Sequence, residues 1–395
     1  MFRKFIVLLV CAAASLPAPL AAQTVKIGLI NSYTGFVAQA GDQGQKGFDL
    51  YLKEHQKDLP PGVKIELIRR DDTSTPEVGK RLAQELIARE HVQLLAGVVL
   101  SPVAAAIAPL TAEAKVPMLL CIASAGVQIP RISPYIARVS FTLWQQGYPI
   151  GKWAAEQGWK TAFTAVSDFI PGHDSEMSFT KGFTDGGGKI IGAVRMPPQN
   201  PDFIPFVQRI KDAKPDVAFF FVPADPQATA LIKAIRDLGV REAGINITAP
   251  QDLLPDEALP NMGDTPLGII TSGTYSTAGK RPANEAFVAA WHKEYGDNSI
   301  PDFLSVDAWD GATAIFDLVK ATNGKFTADE AMDFFKKWKN PDSPRGPIMI
   351  DPETRDIIQN IYIRRAEKVD GKLANVEIAT IPMVKDPWKE LNPAK

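Results

Sequence analysis

The chain has 395 residues, with 43 Lys and Arg against 45 Asp and Glu and a formal net charge of −2. Charges so nearly balanced leave no basic stripe for a nucleic-acid backbone, and two cysteines are too few for a zinc cluster. At about 150 residues per domain, the length predicts two lobes with separate cores.

The first residues place Arg3 and Lys4 ahead of an apolar run, Phe5 to Ala14, and end in Leu20-Ala21-Ala22. That layout predicts a secretory signal peptide over 1–22, cut after Ala22. The run is short for a membrane span of about 20 residues. Removal takes Arg3, Lys4 and Cys11 away and leaves Cys121, in VPMLLCI, as the single thiol of an exported, soluble, periplasmic chain. A lone cysteine in an apolar run reads as a small buried hydrophobe. No internal disulfide can form, so core size has to supply stability.

From residue 24 onward, short β-rich runs alternate with amphipathic stretches. VKIGLIN (25–31) predicts a strand and DQGQKGFDLYLKEH a helix; VKIELIR (63–69) is a strand, then PEVGKRLAQELIARE a helix. Pro76 suits a first-turn position. QLLAGVV (93–99) and VPMLLCI (116–122) are near-continuous apolar runs, as strands covered on both faces should be. SPVAAAIAPLTAEAK lies between them as a helix.

Near residue 145 the rhythm restarts. TAFTAVSD (161–168), KIIGAVRM and DVAFFFV (216–222) predict strands; DSEMSFTKGFTDGG, PDFIPFVQRIKDA and PQATALIKAIRDLG predict helices, the last ending at Gly239. The alternation predicts an α/β chain with parallel sheets in two Rossmann-like lobes. Further on, LGIITSGTYS reads as a strand running into an extended segment, followed by helices at NEAFVAAWHKEYG, LSVDAWDGATAIFDLVKAT and ADEAMDFFKKWK and a strand-like NIYIRRAEK. Late helices completing an early lobe make the chain cross between lobes repeatedly, which produces a hinge with a cleft. The lobes are expected at 24–144 plus 276–350 and at 145–275 plus 351–395.

Catalytic and cofactor motifs are missing from the sequence. His55, His91, His173 and His292 have no metal-ligand spacing, no Walker loop occurs, and Gly35, Gly41, Gly44 and Gly47 do not form a dinucleotide cradle. Asp71-Asp72 sits at a strand end without a partner base. The expectation is a protein that is not an enzyme and carries no cofactor or metal.

In open α/β sheets ligands bind beyond the carboxyl ends of the strands. Here those loops are SYTGFVAQAG, VLSPVA, ASAGVQ, SDFIPGHD, VPADPQ and APQDLLPD. Ser101 and Ser124 stand at or near helix starts, where hydroxyls and free N–H groups can hold a carboxylate, or serve only as caps. Phe36, Ala40, Phe169, Pro171, Ala224, Gln251 and Asp252 then give an apolar wall with few polar groups, suited to a small organic ligand. Tyr275, in the extended segment, completes the candidate set.

The loops in this order resemble periplasmic solute-binding proteins of the branched-chain amino-acid (leucine/isoleucine/valine-binding) family, which feed ABC importers. The resemblance runs through IGLINSYTGFVAQAGDQGQKGFDL, RRDDTSTPEVGKRLAQELI, KVPMLL and SPRGPIMIDPETRDIIQNIYIRR and covers 24–385. It implies the type I periplasmic-binding-protein fold, two lobes joined by a three-crossover hinge, and a monomer that hands its ligand to a membrane permease. It also implies that Ser101 and Ser124, with backbone around Ala123, hold a ligand carboxylate. Family tyrosines are replaced by Ala40 and Pro171, the aromatic of VPADP by Ala224, and the ammonium-pairing glutamate by Gln251, with Asp252 adjacent. The family's disulfide positions correspond to Ser74 and Leu100. The segments near Trp144, Phe169 and His173 look closer to relatives that take up aromatic carboxylates. The ligand expected is therefore an aromatic or bulky hydrophobic carboxylate, with a branched-chain amino acid or a soluble sensing role as the alternatives.

Overall fold

Strand positions follow from apolar runs that must be covered on both faces, and helix positions from the amphipathic stretches that cover them. The computed structural model describes residues 23–126, 129–224 and 226–393. The predicted signal peptide, 1–22, lies outside the described residues.

In the first part, β1 (Gln23–Asn31), α1 (Ala38–His55), β2 (Val63–Asp71), α2 (Pro76–Ala88), β3 (Leu94–Gly97), α3 (Ser101–Ala114), β4 (Met118–Leu120), α4 (Ile129–Ile132) and β5 (Ile136–Arg138) follow one another. The strands form a parallel sheet in the order β2-β1-β3-β4-β5. Strand order reverses between β1 and β3, which is the topological switch point of a doubly wound sheet.

After α5 (Leu143–Glu156) come β6 (Thr161–Ser167), α6 (Ile170–Asp185), β7 (Lys189–Met196), α7 (Ile204–Ala213), β8 (Val217–Phe221), α8 (Gln227–Asp237), β9 (Asn246–Pro250) and β10 (Ile270–Gly273). These strands pair in parallel as β7-β6-β8-β9-β10. The chain then returns to the first sheet with α9 (Pro282–Tyr295), α10 (Phe303–Ala321) and α11 (Ala328–Phe335). It ends with β11 (Lys339–Asn340), β12 (Ile348–Ile350), β13 (Ile357–Val369), β14 (Lys372–Val384) and α12 (Pro387–Leu391). The last four strands pair antiparallel and extend the second sheet to nine strands. So β11 and β12, inside the 276–350 stretch expected in the first lobe, are paired through β13 to the second sheet.

Strand β8 shows the packing logic. Val217, Phe219 and Phe221 enter one hydrophobic core, while Ala218, Phe220 and Val222 enter the other. Each buried phenylalanine contributes roughly 1.5–3 kcal/mol, so a run that is apolar at every position is stable only between two helical layers. Helix α1 meets α10 through a glycine: a Cβ on Gly47 would lie 2.0 Å from the Ser305 carbonyl oxygen. Cys121 is buried and unpaired, and burial pushes its thiol up to about 12.

Three differences from the sequence expectations matter. Helix α1 starts at Ala38, so Ala40 lies in a first helical turn instead of a loop. Strand β5 has only three residues, too few for a periodic signal. Strand β14 is exposed along much of its length, so its composition carries little apolar alternation. Among the described residues, no helix is long and apolar enough to cross a membrane.

Candidate functional site

The loops beyond the carboxyl ends of both sheets converge on a cavity of about 60 Å³. Val37 and Ala40 follow β1; Val99, Leu100 and Ser101 follow β3; Ile122 and Ser124 follow β4; Phe141 follows β5. From the second sheet come Phe169 and Pro171 after β6, Phe221, Pro223 and Ala224 at the end of β8, and Asp252 after β9. Phe303 and Leu304, which open α10, complete the wall. Other hollows are larger, about 500 Å³ beside Asn246 and Ile270 and about 620 Å³ beside Asp256 and His292. The first of these lies at the amino ends of β9 and β10, the wrong end of the sheet for a ligand site. Position in the fold therefore favours the smaller cavity.

Local hydrogen bonds aim these loops. Val98 follows β3 with a φ of 62°, a costly conformation for a β-branched residue. Its amide donates to the Ile30 carbonyl at 2.7 Å and its carbonyl accepts from Ala123 N at 2.8 Å. The turn held this way presents Ser101 as the first residue of α3, where N–H groups lack intrahelical acceptors. Ser101 Oγ accepts from Ala125 N at 2.9 Å, across 24 residues of chain. It is thus neither a cap nor free: it fastens the loop that carries Ser124, and its own proton stays available. The opening segment is anchored by the acidic pair. Asp71 Oδ1 accepts from Tyr33 N at 2.9 Å and Asp72 Oδ1 from Ser32 Oγ at 2.6 Å, which gives Asp71-Asp72 an anchoring role.

Ser101, Ser124 and Asp252 are the polar side chains among the lining residues; every other lining residue is aliphatic, aromatic or proline. Asp252 is partly exposed as a residue, but its Oδ2 is buried and has no hydrogen-bond partner among the described residues. Burial raises its carboxyl from the usual range to about 7, against the opposing pull of Arg364.

Residues 24–372 match the family described as periplasmic binding protein. The chain belongs to that family. This periplasmic binding protein is 46% identical to a solute-binding protein of an ABC transporter from Rhodopseudomonas palustris BisB5, solved in complex with 3,4-dihydroxybenzoic acid. The match covers 93% of this chain and 99% of the other, with a TM-score of 0.89. A second R. palustris solute-binding protein, in complex with 4-hydroxybenzoate, is 41% identical, with coverage of 92% and 99% and a TM-score of 0.88. The "Leu/Ile/Val-binding protein homolog 6" of Brucella suis biovar 1 is 39% identical over 97% of this chain and 98% of its own length. The two lobes and their parallel sheets are those of the type I fold named from the sequence.

Within this periplasmic binding protein, the cavity gathers Ala40, Ser101, Ser124, Phe169, Pro171, Ala224 and Asp252 from the candidate set. The other candidates lie outside its lining. Phe36 packs against the core while its neighbour Val37 lines the cavity. Ala123 is fully buried, its amide spent on Val98 O and its carbonyl on Ser140 Oγ. Trp144 is buried on α5. His173 is turned to the surface, its Nε2 2.7 Å from Asp168 Oδ1. Gln251 supports the wall from behind: its Oε1 accepts from Thr274 N at 2.8 Å, and its backbone N–H donates to Gln146 Oε1 at 3.1 Å. Tyr275 is buried in the core, its ring edge-on to Phe287 at 6.4 Å. Sequence reading did not name Val99, Pro223 or Phe221, and named Leu100 only as a disulfide position, although it singled out the loops and strand that carry them. For Phe303 and Leu304 no local signal existed, because α10 reaches the cavity through its packing on elements distant in sequence, α1 above all.

Proposed function

We propose that the chain is the periplasmic solute-binding protein of an ABC importer and that the cavity takes a one-ring aromatic carboxylate. The observation that carries this is the lining: two serines on the first lobe, aromatic side chains from both lobes, two prolines on the second, and a single acid. At roughly 10–15 Å³ per water, 60 Å³ suits a compact ligand. The carboxylate docks on Ser101, Ser124 and the start of α3, and Phe141, Phe169, Phe221 and Phe303 enclose the ring. Closure follows from the ligand's greater affinity for the closed arrangement, and the closed outer surface is handed to the permease. The ligands of the two R. palustris proteins support this class. The name of the Brucella relatives favours a branched-chain amino acid as second reading, with Asp252 ionised against the ammonium group.

A thermal-shift screen of ligand-stripped protein separates the two, because a ligand of the native state raises apparent stability with its occupancy. Benzoate or 4-hydroxybenzoate is expected to raise the Tm while leucine, isoleucine and valine leave it unchanged. Shifts with the amino acids alone would establish the second reading instead.

A further inference from the structure

We propose that Asp252 reads a ring hydroxyl, so that hydroxylated aromatic acids are preferred over unsubstituted benzoate and over amino acids. The inference rests on the aromatic-carboxylate reading of the cavity and extends it to the far end of the ligand. Ser101 and Ser124 come from loops of the first sheet, whereas Asp252 follows β9 of the second. With the carboxylate on the serines, the rest of the ring lies against the second-sheet wall that carries Asp252. On that side the other lining side chains are Phe169, Pro171, Phe221, Pro223 and Ala224, none of which can hydrogen-bond. Asp252 Oδ2 is buried there without a partner among the described residues, and a buried acceptor left unpaired is costly.

The chemistry of that oxygen distinguishes a phenol from an ammonium. An ammonium brings three N–H donors, each of which must be satisfied in a dry site. Gln251 Oε1, the neighbouring acceptor, is already engaged by Thr274 N and Thr274 Oγ1. A phenol brings one O–H and one acceptor oxygen, and so matches a single carboxyl in either protonation state. The charged group acting on Asp252 is Arg364, whose pull opposes the burial that favours the neutral acid.

The test is isothermal titration of ligand-stripped protein with benzoate, 3-hydroxybenzoate, 4-hydroxybenzoate, 4-fluorobenzoate and leucine. At least one hydroxybenzoate is expected to bind about ten- to a hundredfold tighter than benzoate and 4-fluorobenzoate, the fluorine filling similar space without a donor. In Asp252→Ala that ratio is expected to fall below about threefold, and Asp252→Asn, which keeps the shape and an amide, to retain part of it. Equal binding of the acids by the unmodified protein overturns the inference while leaving the aromatic reading standing. A ratio that persists in both variants does the same. Binding of leucine with no response to any aromatic acid overturns both. The fluorobenzoate comparison uses the unmodified chain, so it decides the matter even where a variant does not fold.

Discussion

Ser101 and Asp252 have different relations to their surroundings, and each leads to a measurement. Ser101 Oγ accepts from Ala125 N, so Ser101→Ala leaves a buried donor unsatisfied and takes away a hydroxyl at the cavity. About 1–3 kcal/mol of stability is expected to be lost, together with affinity for every carboxylate. A variant with an unchanged Tm and unchanged binding would show that water replaces the hydroxyl at no cost. Asp252, with its carboxyl raised to about 7 by burial, and with Arg364 opposing, binds a proton in the native state that the unfolded chain has already released above about pH 4. Stability of the unliganded protein should therefore fall as pH rises from about 4 to about 7 through this group, and then level off. Asp252→Asn should flatten that part of the Tm–pH profile; an unaltered profile would place the carboxyl in water.

At the scale of elements, the strands were legible wherever burial on both faces forced a continuous apolar run, as in β8. The chain between strand and helix was less so. The segment 32–37 owes its shape to Asp71 at the end of β2, which accepts from Tyr33 N and Thr73 N at 2.9 Å and from Thr34 Oγ1 at 2.7 Å. Burial would raise this carboxyl, but its hydrogen bonds outweigh burial and hold it below the usual range. Its contribution is thus present above the ordinary carboxylate pKa and lost as pH falls through the native value. Asp71→Ala should cost about 1–2 kcal/mol at neutral pH and make acid denaturation shallower. Equal acid profiles for variant and parent would remove Asp71 as the anchor.

For the whole molecule, the stretches that join the lobes meet at Arg345. This buried side chain donates to Asp310 Oδ2 at 2.8 Å, Asp307 Oδ1 at 2.6 Å, Gln359 Oε1 at 2.8 Å, and the carbonyls of Ser140 and Val139 at 2.8 and 2.6 Å. It ties α10, the chain leaving β5 and the start of β13 into one block. Removing one partner of a buried ion pair typically costs 3–5 kcal/mol, because the remaining charge is left uncompensated. Arg345→Ala should lower stability in urea by about that much, while loss of less than about 1 kcal/mol would mean that water fills the network. A second link joins the lobes at the cleft, where Gly126 N donates to Asp174 Oδ2 at 2.8 Å.

The alternation of the longer elements, the two-lobed α/β plan, burial of Cys121 and most of the loops that line the cavity were readable from the chain, because hydrophobic periodicity and turn chemistry act over a few residues. Which residue of each loop faces the cavity was not. Phe303 enters through the packing of α10 on α1, Gln251 turns its amide back to Thr274, and His173 turns out to Asp168. Those choices depend on strand order within each sheet and on how one sheet faces the other. Strand order is set by pairings between residues tens of positions apart, such as Ile27 with Leu94, and the placing of α10 by contacts across far more of the chain, such as Gly47 with Ser305. Over such separations a local pattern carries no signal.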